Sequence, residues 1–297
     1  MTDRYAVIGN PVAHSQSPFI HRMFAQALGD DIAYDAILGR AGHFGDDVRA
    51  FRRSGGCGLN VTVPFKLDAY ALATIRTPRA THAGAVNTLK FEGDQVVGDN
   101  TDGAGLVRDV LLRLDFAIEA KRVLLLGAGG AARGAVLALL AERPSCLAIA
   151  NRTADKARAL AMQVSRYSGV TEVAAGPSET FAGRAFDLVI NATSASLTGE
   201  LPSLPKAVFA PGALAYDMVY GDRARPFLAY ALAHGAARAV DGLGMLVEQA
   251  AESYFLWRGV RPQTAPVLAM LSAAGATGHA IQRRDNGSPV AGMLRTR

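Results

Sequence analysis

RVLLLGAGGAARGAVLALLAERP, residues 122–144, constrains the fold more than any other stretch of this chain. Its opening apolar run reads as a strand covered on both faces. The run breaks into Gly127-Ala128-Gly129-Gly130-Ala131-Ala132 and continues as a helix with an apolar face. Strand, glycine turn and helix in that order form the dinucleotide-binding unit of doubly wound sheets. Gly127 permits the tight turn, and Gly129 lets the backbone approach a diphosphate. Ala132, at the third fingerprint position, still allows close helix–strand packing. Free N–H groups and the helix dipole favour the anion. Gly127, Ala128, Gly129, Gly130 and Ala131 are therefore the expected cofactor-binding turn.

The next strand, CLAIA, ends in Asn151-Arg152-Thr153. An NAD site usually carries a carboxylate about 20 residues beyond the glycines, where it binds the ribose hydroxyls. A carboxylate there would repel a 2′-phosphate, whereas Arg152 can pair with one through two N–H groups. The position favours NADP, held by Asn151, Arg152 and Thr153, over a solvated loop arginine. Thr153 also suits the N-cap of ADKARALAMQV. NATSAS (191–196) follows the strand FDLVI and is equally consistent with a polar turn and with a wall beside the nicotinamide ribose.

Residues 4–103 alternate short apolar runs with helical patterns, which predicts a mainly parallel α/β domain. RYAVIGN, AYDAIL and GLNVTV read as strands, Ser17-Pro18 as an N-cap with proline at the first helical position, and AVNTLKF with QVVGDN as a hairpin. NVTVPFK reads as a buried strand stopped by Pro64, with Lys66 at its end. GAGLVRDVLLRL, from Gly103, reads as a helix leading into the next domain. The expected division is a substrate domain over 1–103 and 242–274 with a Rossmann-type NADP-binding domain over 104–241 inserted into it, then a mobile tail over 275–297. The net charge of +5 is concentrated in the tail, where four arginines face Asp285 alone. The rest is near neutral with no basic stripe, which excludes a nucleic-acid partner. Two cysteines and scattered histidines give no disulfide framework and no metal cage. Apolar runs are too short for a membrane span, and no signal peptide precedes the first strand, so the expected location is cytoplasmic.

Reduction of a carbonyl needs a proton and a group that stabilises developing negative charge. Lys66 and Asp102 are the candidates in the first domain. Lysine can shuttle a proton beside a carboxylate and arginine cannot; only 5 of the 31 cationic residues here are lysine. Alone, Lys66 reads as a surface cation and Asp102 as a helix N-cap.

The motifs YAVIGNPVAHSQSPFIH, NVTVPFK, AGAVNTL, GDNTDG, LLLGAGGAARG, NRT, INATS, YDMVY and DGLGMLVEQAA, in this order, resemble the bacterial shikimate dehydrogenases over residues 4–272. The resemblance implies NADPH-dependent reduction of 3-dehydroshikimate to shikimate in aromatic amino-acid biosynthesis, in a cleft between the domains. It implies Lys66 and Asp102 as the catalytic pair. Ser15 and Ser17 would bind the substrate carboxylate, and Thr62, Asn87 and Gln249 its ring hydroxyls, with Tyr220 a further neighbour. Met218 and Gly242 would lie beside the nicotinamide. The resemblance carries no nucleic-acid or membrane partner and leaves monomer and homodimer open. Its alternatives are a quinate/shikimate dehydrogenase with relaxed NAD/NADP use and a non-catalytic NADPH sensor. One departure is Ala195-Ser196, where the family commonly continues Ser-Gly.

Overall fold

The computed structural model describes residues 2–273 and the backbone of 280–283 and 289–291. The chain divides into two compact units, Met1–Gly105 with Leu246–Leu268, and Leu106–Met245 with Ala269–Arg297. Each unit is an α/β layer structure around its own sheet.

The first unit holds β1 (Asp3–Gly9), α1 (Ser17–Leu28), β2 (Ile32–Leu38), α2 (Phe44–Arg53), β3 (Gly56–Val61), α3 (Lys66–Leu72), β4 (Ile75–Arg76), α4 (Pro78–Ala83), β5 (Thr88–Glu92) and β6 (Gln95–Asp99). The strand order is β2-β1-β3-β5-β6-β4. β1 pairs in parallel with β2 and β3, and β4 with β6, while β5 is antiparallel to both β3 and its hairpin partner β6. Period-two alternation builds two cores. Ala6 and Ile8 of β1 pack with Phe44, Val48, Leu59 and Phe65, whereas Tyr5 and Val7 face Tyr34 and Trp257.

Three local expectations change here. The N-cap position of α1 is Gln16, so Ser17 is already helical; the orphan N–H of Ser17 is met by the Ser15 hydroxyl at 3.3 Å. β3 ends at Val61, and Val63 is 55% exposed instead of buried. Pro64 has no N–H with which to continue a ladder. Lys66 then opens α3, a helix with no clear periodicity of its own.

α5 (Asp102–Arg108) follows, and the chain continues as a π-helical turn over Asp109–Arg113. The single helix expected from Gly103 is thus α-helical only in its first part. At the change Asp109, fully buried, accepts from Arg113 and, at 2.6 Å, from the Tyr216 hydroxyl.

The second unit contains β7 (Arg122–Leu126), α6 (Gly130–Ala141), β8 (Cys146–Ala150), α7 (Ala154–Val164), β9 (Glu172–Gly176), β10 (Phe186–Asn191), β11 (Phe209–Asp217), α8 (Arg225–Ala233) and β12 (Arg238–Val240). Its strands run β9-β8-β7-β10-β11-β12, all parallel. That is the doubly wound order, with the topological switch point between β7 and β10. Val123 and Leu125 enter one core and Leu124 and Leu126 the other, which is why β7 reads as an unbroken apolar run. α9 (Leu243–Arg258) and α10 (Ala265–Ala273) follow. The mobile tail expected from 275 lies mostly outside the described residues. The described stretches β13 (Ala280–Arg283) and β14 (Pro289–Ala291) are instead strands, with β13 antiparallel to β12.

Candidate active site

In the first unit the loops that leave the C-terminal ends of β1 and β3 run side by side, because parallel neighbours end at the same edge. The Asn10 N–H donates to Val63 O at 3.0 Å, and the Thr62 N–H to Ile8 O at 3.0 Å. These loops carry Ser15 and Thr62 and lead into Ser17 at the start of α1 and Lys66 at the start of α3. Lys66 is fixed from both sides: Phe65, 2% exposed, stacks on Phe44 at 5.3 Å, and Lys66 O accepts from the Val86 N–H at 3.0 Å.

Lys66 Nζ donates to Asp102 Oδ2 at 2.6 Å. The other carboxylate oxygen, Oδ1, accepts from Asn87 Nδ2 at 2.9 Å. Asn87 Oδ1 accepts from the Thr101 N–H at 2.9 Å; a backbone N–H can only donate, so the amide faces one way. Gln249 Oε1 accepts from Asn87 Nδ2 and from the Thr101 hydroxyl, both at 3.3 Å. Gly105 makes room for this, because a Cβ there would stand 2.7 Å from Gln249 N. Asp102 is the first residue of α5, and its N–H is capped by Asn100 Oδ1 at 3.2 Å. The preceding Asp99, 1% exposed, is held by Thr77 and Arg79, so the whole 99–102 segment is anchored. The structure thus joins Lys66, Asn87, Asp102 and Gln249 in one hydrogen-bonded group. A cationic donor held by an ionised acceptor, with neutral donors and acceptors around it, suits proton transfer to a small polar molecule.

In the second unit the candidate cofactor residues gather at the switch point. Gly127 has φ +109°, and a Cβ there would lie 3.0 Å from Ala192 O. Gly129 sits at the N-cap of α6 with no side chain capping it. A Cβ on Gly129 or Gly130 would meet nothing of the protein, so the turn presents bare backbone to open space. Those features fit a diphosphate. Asn151 follows β8 directly, with its amide donating to Thr153 O at 2.9 Å, and Thr153 holds the N-cap position of α7 without a capping bond. Arg152 is exposed and has no carboxylate partner among the described residues. The site therefore fits a dinucleotide with a 2′-phosphate.

The loop 191–196 is a structured polar turn. Asn191 Nδ2 reaches Ser196 Oγ at 2.9 Å and Asp217 Oδ2 at 3.0 Å, and Ser196 donates to Asp217 at 2.6 Å. Asp217 is fully buried, and burial raises its pKa above the usual carboxylate value. The Met218 N–H donates to Asn191 O at 3.0 Å, and the Gly242 N–H to Val219 O at 3.1 Å. The loops after β10, β11 and β12, with Met218 and Gly242, are thereby tied together. Tyr220 belongs to this second unit, and burial raises its hydroxyl pKa. Among the described residues no cluster of His, Cys, Asp or Glu could hold a metal ion, and no helix is long and apolar enough to cross a membrane.

Residues 7–89 match the family description "Shikimate dehydrogenase substrate binding domain", 111–198 "Shikimate / quinate 5-dehydrogenase" and 242–271 "Shikimate 5'-dehydrogenase C-terminal domain". The chain is 57% identical over 274 residues to the shikimate dehydrogenase (NADP(+)) of Nitrosospira multiformis, covering 92% of this chain and 98% of that protein. The chain belongs to the shikimate dehydrogenase family. The enzyme of that name from Aromatoleum aromaticum is 58% identical over 269 residues, 91% of this chain and 96% of the relative. Among solved structures, shikimate 5-dehydrogenase of Thermus thermophilus, in complex with NADP(H) and shikimate, superposes with a TM-score of 0.80 at 31% identity, covering 92% of this chain and all of that one.

Against that family background, sequence reasoning passed over Asn60, Thr88, Thr101 and Ser253, which back the Lys66–Asp102 group from within the core. The available signal was a polar residue at a buried phase of an apolar strand or helix. Periodicity can mark such a residue but cannot name its partner.

Proposed function

We propose that this member of the shikimate dehydrogenase family reduces 3-dehydroshikimate to shikimate with NADPH, with Lys66 and Asp102 as the proton-transfer pair. The observation that carries the pair is the 2.6 Å contact between Lys66 Nζ and Asp102 Oδ2. NADPH, bound by Gly127–Ala131, Asn151, Arg152 and Thr153 with Met218 and Gly242 at its nicotinamide end, supplies the hydride. As the carbonyl carbon is reduced, its oxygen gains an electron pair and needs a proton. The Lys66 ammonium donates that proton, and its charge stabilises the oxyanion before transfer. Asp102 orients the ammonium and balances its charge. In the reverse direction the neutral amine takes the hydroxyl proton, which an arginine could not do.

Ser15 and Ser17 hold the substrate carboxylate from the loop opening α1. Thr62, Asn87 and Gln249 bind ring hydroxyls, and Tyr220 completes the substrate contacts. Arg152, without a competing carboxylate, selects the 2′-phosphate of NADP. The substrate is a small molecule, the enzyme acts in the cytoplasm, and it works as a monomer or homodimer.

NADPH consumption with 3-dehydroshikimate tests this reading. Lys66→Met should lower kcat by a factor of about a hundred or more while KM for the substrate changes little. A Lys66→Met protein that kept most of its turnover would remove Lys66 as the proton donor.

A further inference from the structure

Asp102 is the end of a longer line of hydrogen bonds through the core of the first unit. The Tyr34 hydroxyl donates to Asn60 Oδ1 at 2.7 Å, and Asn60 Nδ2 donates to Ser253 Oγ at 2.9 Å. Ser253 and Thr88 hydroxyls are 2.8 Å apart, and Thr88 donates to Asn87 Oδ1 at 3.0 Å. Asn87 Nδ2 then reaches Asp102 Oδ1. The Ser253 hydroxyl also donates to Gln249 O at 3.0 Å, which ties the line to the backbone of α9.

The four intermediate residues come from β2, β3, β5 and α9, and none is more than 6% exposed. Burying a hydroxyl or amide is unfavourable unless it is bonded, and an apolar core would avoid that penalty. Polar side chains kept in one connected line are accounted for by the orientation they impose at its end. Here that end is the Asn87 amide, which sets one oxygen of Asp102 while Lys66 sets the other.

We infer that Tyr34, Asn60, Thr88 and Ser253 are positioning residues for the reaction: they hold the Asn87 amide, and through it the Asp102 carboxylate, in the orientation that serves Lys66. The inference rests on the proton-transfer reading of Lys66 and Asp102. It adds that side chains of β2, β3, β5 and α9 are linked through the core to the proton-transfer pair.

The test is a double-mutant cycle on kcat/KM for shikimate oxidation by the whole enzyme, with the thermal midpoint recorded for each protein. Tyr34→Phe removes one oxygen and keeps the ring, and Ser253→Ala removes one hydroxyl. Each should lower kcat/KM about tenfold, the equivalent of one well-formed hydrogen bond. In an Asn87→Ala background the same changes should cost less than about twofold, because the group they act through is gone. Losses that multiply across the two backgrounds, or single variants within about twofold of the parent, overturn the inference. Should Ser253→Ala fail to fold, Tyr34→Phe decides the result alone. Lys66→Met is measured in parallel. Retained turnover there would overturn the proton-transfer reading and this inference together, whereas multiplying losses overturn this inference alone.

Discussion

His21 has a fully buried imidazole in which neither ring nitrogen has a hydrogen-bond partner. It stacks on Tyr34 with ring centroids 4.3 Å apart and lies edge-on to Phe24 at 5.9 Å. Burial disfavours the imidazolium and lowers the pKa to about 3, with the Asn60 side chain close enough to offset a little of this without a well-formed bond. The native state therefore stays unprotonated at this residue while the unfolded chain binds a proton below the ordinary histidine value of 6.5. Stability is lost as pH falls from about 6.5 towards about 3, to a limit on the order of 4–5 kcal/mol. Urea midpoints at neutral pH and near pH 4 should show that dependence, and His21→Phe should flatten it. Parallel pH curves for the two proteins would show that His21 plays no part in acid sensitivity.

At the scale of elements, the turn between β7 and α6 contains two kinds of glycine. Gly127 is held at a φ that side-chain-bearing residues rarely adopt, with Ala192 O closing the space beside it. Gly127→Ala should cost about 1–3 kcal/mol, visible as a fall of several degrees in thermal midpoint together with a higher KM for NADPH. Gly129 has φ −84° and open space where a Cβ would go. Gly129→Ala should leave the thermal midpoint unchanged and raise only the NADPH KM. Equal melting shifts in the two variants would contradict the division.

This turn was legible in the sequence because all its determinants lie within one strand and one helix. The β5–β6 hairpin and the strands β7, β8 and β10 of the second unit were legible for the same local reason. α3 was not, because its seven residues, starting at Lys66, are too few to show a period. The π turn at Asp109 was not either. Its buried partner Tyr216 lies 107 positions away, and no pattern within the helix reports it. The same distance problem hid the core behind the active site. Asn60 and Ser253 are separated by 193 positions, and each alone is an isolated polar residue in an apolar segment. Lys66 and Asp102 could be named from the sequence only through their motifs, since nothing local joins them across 36 residues.

For the whole molecule, the discontinuity of the first unit matters most. Its sheet comes from the first hundred residues, but Leu246–Leu268 belongs to it. Trp257 stacks on Tyr5 at 4.6 Å and donates its indole N–H to Leu89 O at 2.9 Å; Tyr254 bonds Asp30, and Arg258 pairs with Asp3 and Asp30. The second unit, by contrast, has its parallel strands β7 to β12 in one uninterrupted segment. In refolding followed by pulsed hydrogen exchange, amides of β7, β8 and β10 should gain protection before those of β1 and β3. Simultaneous protection of both sheets would show that the discontinuity has no kinetic consequence.

The same geometry sets a schedule for synthesis. A ribosome delivers β1 first, yet Trp257 is still unmade when the entire parallel sheet of the second unit has already emerged. The segments that carry Lys66 and Asn87 must then wait, with the face that will receive Trp257 open to chaperones and to other nascent chains. In this enzyme the segment made first is among the last to be finished.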